Sequence, residues 1–504
     1  MRSLILPRQM RDMEQRYFAE TGTPSIDLME RAARALCVVL AKRYGLDKLI
    51  CFACGPGGNG GDGYACARMY AKIGGRSAVF PSEPPCTPDA VANRERALAL
   101  GVPELRLEDI DGRPDVWVDA LYGTGLSRAP EGCAAALIGR MNADRAQGVP
   151  VVAVDIPSGL DGLGGRAFSP CVRADLTVTF QFEKTGLWLA DGLDMCGEIQ
   201  AEDIGIPPGF FPDGMAKLVG TADVSKALPA KPRNAHKGRN GHLLIVAGSV
   251  GMAGAAALCA RAALRSGVGL VTAACPASIV PIVQALAPCA MAVPLPERDG
   301  AIAPEAVEPL QNALAGKDAA VCGCGLSRRA APQAVRAVLE SGVPALLDAD
   351  ALNLIAQDAA LKGLLRPHHL ITPHPGEAAR LLGRPARDPL ADAPALRALG
   401  CQALLKGATS VIPAEGSLLL SASGCAGMAK GGSGDVLAGL AGGLMAQYAA
   451  AGTPMTGDAL ARCAAWASEI HGLAGELAQA KHGVRGMCSG DIAEALPEAL
   501  ARCE

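Results

Sequence analysis

Two stretches of this chain place acids among glycines ahead of a helical pattern. Residues 428–437 read Met-Ala-Lys-Gly-Gly-Ser-Gly-Asp-Val-Leu, and Val436, Leu437, Leu440, Leu444 and Met445 continue at helical spacing. A glycine run that opens a helix turns backbone N–H groups toward one anion and lets the backbone approach it closely. Asp435 stands beside that cradle. A carboxylate repels phosphate, so its useful chemistry there is that of a base, taking a proton from a hydroxyl about to attack the phosphate. A plain helix cap is the competing reading.

The other stretch is Cys54-Gly-Pro-Gly-Gly-Asn-Gly-Gly-Asp-Gly, between an apolar run and the helical residues Tyr64, Ala65, Ala67 and Met69. Gly55, Gly57 and Gly60 satisfy a dinucleotide fingerprint, and Glu83 follows the next apolar run, so an NAD(P) dehydrogenase is one reading. Asp62 argues against it, because an acid there repels a pyrophosphate at the helix start. Asn59 and Asp62 instead add side-chain oxygens to the loop, or serve only as turn residues. Asp119 leads into Ala-Leu-Tyr-Gly-Thr-Gly, and Asp155 into Ile-Pro-Ser158-Gly. Three strand ends thus offer Asn59, Asp119, Asp155 and Ser158 to one crevice, and an oxygen-only set suits a hard cation.

Further along, His374 lies between two prolines ahead of Gly376 and Glu377, at the foot of a helix, where it faces a ligand or is an ordinary satisfied histidine. Lys406 ends an apolar run at Gly407, a common station for a cation that meets nucleotide phosphates; its alternative is a snorkelling lysine. Asp348 and Asp350 either recruit Mg²⁺ through water or cap a helix at 351–356.

Residues 8–43 read as two helices broken at Pro24-Ser25, the second with Ile26, Leu28, Met29, Ala32, Ala33, Leu36 and Val39 on one face. Continuous apolar runs at 49–53, 77–80, 116–120, 151–154 and 176–180 alternate with helical stretches. Such runs belong to strands covered on both faces, hence to a parallel sheet whose ligands gather at the carboxyl ends. A second series follows at 243–247, 270–274, 319–322, 344–347, 369–372 and 403–406, with helices near 254–266, 331–341, 376–382 and 435–448. The Pro/Gly-rich 205–212 and the basic 231–238 flank a boundary near Gly220, giving domains 1–220 and 226–504 in an α/β chain.

The chain has 504 residues, too many for one core. Half of them are apolar and 19% charged, which marks a globular chain. Only 3% are aromatic and the net charge is −3, which argues against stacking platforms for nucleic acid and against a general polyanion binder. No stretch has the length and apolarity of a membrane span, and the first residues hold too short an apolar run for a signal peptide. We expect no nucleic-acid or membrane partner and a cytoplasmic location. The CxxC at Cys51 and Cys54 lies in a strand-like run without a second such pair, so buried thiols are expected and zinc is not.

Gly-Pro-Gly-Gly-Asn-Gly-Gly-Asp-Gly, Asp-Ala-Leu-Tyr-Gly-Thr-Gly and Val-Asp-Ile-Pro-Ser-Gly resemble the NAD(P)H-hydrate epimerase family, which has a Rossmann-like three-layer fold. Members interconvert the R and S forms of NAD(P)H carrying a hydroxyl on C6 of the nicotinamide ring. The resemblance implies K⁺ at Asn59, Asp119 and Ser158. It implies hydrate binding by Gly58, Asn59, Gly60, Gly61 and Asp62, and by the loop of Gly123, Thr124, Gly125, Leu126, Ser127, Arg128 and Ala129. Asp155 would be the acid–base residue. Gly58 and Arg31 depart from the family pattern, which often has asparagine at the first place and in some members at the second.

From about His236 to Leu496 the chain resembles the NAD(P)H-hydrate dehydratase family, of ribokinase-like fold. The carriers are Lys237-Gly-Arg-Asn-Gly-His, Gly251-Met-Ala-Gly, Asp348-Ala-Asp-Ala-Leu-Asn, Thr372-Pro-His-Pro-Gly-Glu, Lys406-Gly-Ala-Thr-Ser and Gly431-Gly-Ser-Gly-Asp. Gly323-Cys-Gly-Leu-Ser corresponds to a Gly-Pro-Gly-Leu-Gly loop, with Cys324 and Ser327 as departures. By this resemblance Ala255, Gly325, His374 and Asp435 contact the hydrate, and Lys406, Gly407, Ala408, Thr409, Ser410 and Gly434 contact the nucleotide. Asp435 would be catalytic, ADP the phosphoryl donor and Mg²⁺ its companion. The expected small molecules are the hydrate and ADP, and a homo-oligomer is expected. A ribokinase-like small-molecule kinase fused to a nucleotide-binding or interaction module is the alternative.

Overall fold

The computed structural model describes residues 1–110 and 112–504. The chain divides into two compact units, Ser3–Ala216 and Lys217–Glu504, the latter with Met1–Arg2. No helix among the described residues is long and apolar enough to cross a membrane.

The first unit is built on a six-stranded parallel sheet. In spatial order its strands are Arg76–Pro81, Leu49–Cys54, Val116–Ala120, Val151–Val154, Leu176–Phe180 and Glu198–Glu202. Side chains alternate between two cores. Ile50, Phe52 and Val118 pack with Leu36, Leu40 and Tyr64 on one face; Cys51, Ala53 and Trp117 pack with Leu137, Ile138 and Met141 on the other. The inner strands are therefore covered twice, which is why their sequences are nearly continuous apolar runs. The chain reverses its direction of travel between Leu49–Cys54 and Val116–Ala120, and a crevice opens beyond the carboxyl ends at such a switch point. The glycine turn after Cys54 and the loop after Ala120 both open there. A short parallel pairing of Leu4 with Glu183 and of Ile5 with Lys184 directs the helix Pro7–Thr21. The Pro24-Ser25 break is real: the next helix is Ser25–Tyr44.

The second unit has a seven-stranded sheet, also all parallel. Its order is Met291–Leu295, Leu270–Pro276, His242–Val246, Ala319–Cys322, Ala345–Leu347, His369–Ile371 and Gln402–Ala403. An antiparallel pair, Ser410–Ala414 with Ser417–Ser421, follows the last of these. The helix Ser433–Ala450 is buried along most of its length and packs on Ala253–Arg265. Glycines permit that approach: a Cβ on Gly439 would lie 2.1 Å from the carbonyl oxygen of Cys259. The helices Gly457–Gly486 and Ser489–Ala501 complete the layer.

The strands at 116–120, 151–154, 176–180 and 319–322 lie as read from the sequence. The expected strand 403–406 is shorter, and Lys406 lies in the loop beyond it.

Candidate functional sites

In the first unit a cavity of about 660 Å³ opens at the switch point, within the range of cofactor sites. Its walls include Gly58, Asn59 and Asp62 of the glycine turn, residues 123–128 of the second loop, and Asp155. Gly60, Gly61 and Ala129 are not among its lining residues. Gly60 packs on the turn itself, where a Cβ would meet the Gly55 carbonyl oxygen at 1.8 Å, and Gly61 lies against Met29. Arg31 faces away, its guanidinium donating to the Tyr17 hydroxyl at 3.2 Å and the Gly205 carbonyl at 3.4 Å.

Asp119 and Ser158 lie beneath the cavity, both fully buried. The Ser158 hydroxyl donates to Asp119 Oδ1 at 2.6 Å, and the Ser158 N–H to Oδ2 at 2.7 Å. Burial pushes the Asp119 carboxyl up to about 6 against these hydrogen bonds. The Tyr122 carbonyl is 3.2 Å from Ser158 Oγ, and Asn59 Oδ1 would lie 3.6 Å from a Cβ on Gly123, while the Asn59 amide nitrogen is buried without a partner. Among the described residues no ion pair forms to the buried Asp119 carboxyl, and its neutral oxygen neighbours are of the type a monovalent cation takes.

Asp155 follows its strand with φ of 65°, a left-handed conformation that aspartate adopts more readily than most residues. Its Oδ1 accepts from Thr179 Oγ1 at 3.0 Å and from the ammonium of Lys184. Lys184 is almost wholly buried, and it also donates to Thr179 Oγ1 at 3.0 Å and to the Phe180 carbonyl at 3.1 Å. Glu14 and Arg11, from the helix Pro7–Thr21, line the same cavity. Sequence reasoning missed Lys184, Thr179, Arg11 and Glu14. A signal existed for Glu14: it sits on the stripe Met10–Glu14–Phe18, an acid on an apolar helical face.

In the second unit Asp435 lies in the first turn of Ser433–Ala450, behind Gly432 in the left-handed conformation. The N-cap position is Gly432, where no side-chain cap bond is made. Burial pushes the Asp435 carboxyl up to about 6; the Cys324 thiol hydrogen-bonds to it and pulls the other way, Asp348 and Asp350 push up, and Lys406 pulls down. Lys406 Nζ donates to Asp348 Oδ1 at 2.7 Å. This pair flanks the glycine turn: a Cβ on Gly434 would lie 3.4 Å from Lys406 Nζ and 3.6 Å from Asp348 Oδ2. Burial opposes the charge on Lys406, yet Asp348 and Glu377 raise its proton affinity above the ordinary value.

Asp348 and Asp350 part company. Asp348 makes no side-chain cap and keeps Oδ2 toward Gly434. Asp350 ties a loop, accepting from Ser327 N at 2.8 Å and from Asn353 Nδ2 at 3.3 Å. A hydrated Mg²⁺ therefore fits Asp348 and not Asp350. Gly325 and Ala255 are neighbours, a Cβ on the former reaching that of the latter at 2.8 Å. Cys324 links Gly325 to Asp435. His374 caps the helix Pro375–Leu382, its Nδ1 accepting from Gly376 N at 3.0 Å, while Glu377 accepts from His374 N at 2.9 Å. The cap reading therefore holds; an accepting Nδ1 leaves Nε2 as the donor of the neutral ring, 3.5 Å from Glu377 Oε1. Gly407 and Ala408 are exposed, and Thr409 and Ser410 are buried.

Folds and sites together define a two-domain α/β enzyme, with a Rossmann-like unit followed by a ribokinase-like unit. The family described as YjeF-related protein N-terminus matches residues 25–186, and the family described as NAD(P)H-hydrate dehydratase matches residues 243–498. A bifunctional NAD(P)H-hydrate repair enzyme from Moorella thermoacetica is 36% identical over 99% of this chain and 97% of the relative. One from Escherichia coli is 34% identical over 94% and 88%. A solved ADP/ATP-dependent NAD(P)H-hydrate dehydratase from Bacillus subtilis is 27% identical with a TM-score of 0.47, covering 57% of this chain and 99% of that one. The chain belongs to the family of bifunctional NAD(P)H-hydrate repair enzymes.

Proposed function

We propose that the first unit interconverts the R and S hydrates of NAD(P)H, and that the second converts the S hydrate to NAD(P)H using ADP, with AMP and phosphate as the other products. The observation that carries the reading is that each carboxylate assigned to chemistry stands beside an open glycine turn with a lysine in its electrostatic field: Lys184 at Asp155 and Lys406 at Asp435.

In the first unit the hydrate ring lies in the cavity. Asp155, held by Lys184 and Thr179, moves the proton that accompanies departure and return of water at C6. K⁺ held by Asn59, Asp119 and Ser158 would neutralise the buried carboxylate and brace the loop at Gly123.

In the second unit Asp435 removes the proton of the C6 hydroxyl, which attacks the terminal phosphate of ADP held at Gly431–Gly434. Phosphate leaves far more readily than hydroxide, and its elimination restores the nicotinamide. Lys406 stands beside Gly434 to meet the phosphate charge, with Gly407, Ala408, Thr409 and Ser410 toward the nucleotide. Ala255, Gly325 and the Nε2 of His374 face the hydrate. Mg²⁺ bound with the nucleotide would offset phosphate charge, with Asp348 as its protein ligand through water.

The test is incubation of mixed R and S hydrates with and without ADP. Full recovery of NADH absorbance with ADP supports both activities; recovery stopping at the S fraction sinks the first. A stable phosphorylated product without NADH means a kinase.

A further inference from the structure

The helix Pro7–Thr21 presents one face to the cavity of the first unit: Met10, Arg11, Glu14 and Phe18. Two of these are charged, and they meet a crowded set of charges. Asp155 comes from a strand end, Lys184 from the segment paired with Ile5, and Asp62 from the helix Gly58–Lys72. Glu14 and Asp62 each lie in the fields of Asp155 and Lys184, Asp62 also in that of Glu14, and Glu14 also in that of Arg11. Three carboxyls thus crowd one buried ammonium, with Arg11 beside Glu14 alone, and Asp89 and Arg128 line the same cavity. Such a set does not ionise fully near neutrality. Lys184 is committed to Asp155, so Glu14 and Asp62 are the carboxyls left without an ammonium of their own. Burial, reinforced by Asp155 and opposed by Lys184 and Arg11, pushes Glu14 up to about 7; Asp62 is pushed well up by burial, Asp155 and Glu14. A group that titrates near the working pH is the one suited to passing a proton back and forth.

We propose that Glu14 is a second catalytic residue of this site, a proton donor on one wall of the cavity working with Asp155 on another. The assignment rests on the epimerase reading above. Glu14 gives its proton to the C6 hydroxyl as the C6–O bond breaks. The ring nitrogen lone pair forms the C6=N bond, and water leaves. A second water adds to the opposite face of C6; the C6=N pair returns to nitrogen, and Asp155 takes the proton lost by that water. One water leaves and one enters, nothing is oxidised or reduced, and the proton given by Glu14 is matched by the one Asp155 receives. The protonation states left behind serve the reverse conversion, as an enzyme acting on both epimers requires.

The test uses the full chain without ADP, following R-to-S conversion by chromatography above the uncatalysed exchange. Wild type should show a limb in its kcat–pH profile with a midpoint near 7. Glu14→Gln should lose roughly 100-fold in kcat and that limb, with KM little changed; Glu14→Asp should restore the limb, and Asp62→Asn should keep it. Glu14→Gln with wild-type kcat and profile overturns the proposal, as does a limb lost in Asp62→Asn alone. Where Glu14→Gln fails to fold, a wild-type profile flat through neutrality overturns it. Wild type without exchange sinks the epimerase reading itself; active wild type with indifferent Glu14→Gln sinks Glu14 alone.

Discussion

Asp155 and Asp435 follow similar sequence cues and are held in different ways. Asp155 sits on left-handed backbone with its own buried ammonium, Lys184. Asp435 rests on relaxed helical backbone, and the nearby ammonium of Lys406 is paired to Asp348 instead. The difference matches the charges each turn must meet. A neutral hydroxyl and water at C6 bring no charge, so the cation can be spent on fixing the carboxylate. A phosphate brings charge of its own, so the cation is kept one residue away, where it attracts the anion without neutralising the base. A thiol, a weak donor, takes the place of the ammonium at Asp435.

Exchange of function between the two acids is the largest expected effect. Asp435→Asn should lower ADP-dependent dehydration by about 10²–10⁴-fold and leave epimerisation intact, and Asp155→Asn should do the reverse. Separate assays on the same preparations decide it; loss of both activities in either variant would break the comparison. The lysines come next. Lys184→Met leaves Asp155 without its ammonium and should cost about 3 kcal/mol of stability in the first unit, read from denaturant unfolding. Lys406→Met should act on the nucleotide, raising the KM for ADP by an amount equivalent to about 1.5–3 kcal/mol, the strength of a charge-assisted hydrogen bond. An unchanged KM would remove Lys406 from the nucleotide's surroundings.

The proton affinities sharpen the contrast further. The Asp435 carboxyl is pushed up to about 6, so below that pH it is protonated and cannot act as a base. Dehydration should therefore rise with pH to a plateau above a midpoint near 6. The Cys324 thiol stabilises the ionised form, so its removal in Cys324→Ala should move that midpoint upward. A midpoint that stays put or falls would exclude the thiol from the site's electrostatics.

The strands that position both sites were legible because they are covered on both faces: 116–120 and 151–154 are unbroken apolar runs that carry Asp119 and Asp155 at or just beyond their ends. Half-exposed edges lack that signature. Glu198–Glu202 has only Ile199 and Ala201 among polar residues, an alternation too short to stand out as a strand. The hairpin Ser410–Ser421 was missed for a related reason, its turn at Glu415-Gly416 lying next to a proline-containing strand. The acids were legible as residues of glycine turns, whereas their partners were not. Lys184 reaches Asp155 through a register set by Ile5, and Lys406 finds Asp348 across the sheet. Spacing along the chain carries no trace of such pairings.

The smallest effect tests what the strained backbone is for. Ser327 stands at φ of 72° in a loop where the family pattern has glycine, and its N–H holds Asp350 at 2.8 Å. An L-residue there costs about 1–2 kcal/mol relative to unstrained backbone. Glycine relieves that strain and keeps the N–H, losing a hydroxyl that accepts from Arg329 N at 3.2 Å and gaining freedom in the unfolded chain. Ser327→Gly should therefore stabilise the second unit by about 0.5–1 kcal/mol, read as a higher unfolding midpoint, with dehydration unaltered. Asp155 has nearly the same backbone angle, but there glycine would remove the carboxylate that Lys184 and Thr179 hold. If Ser327→Gly destabilises the protein, left-handed backbone is not a cost in either unit, and the strain at Asp155 loses its meaning as something tolerated for the sake of chemistry.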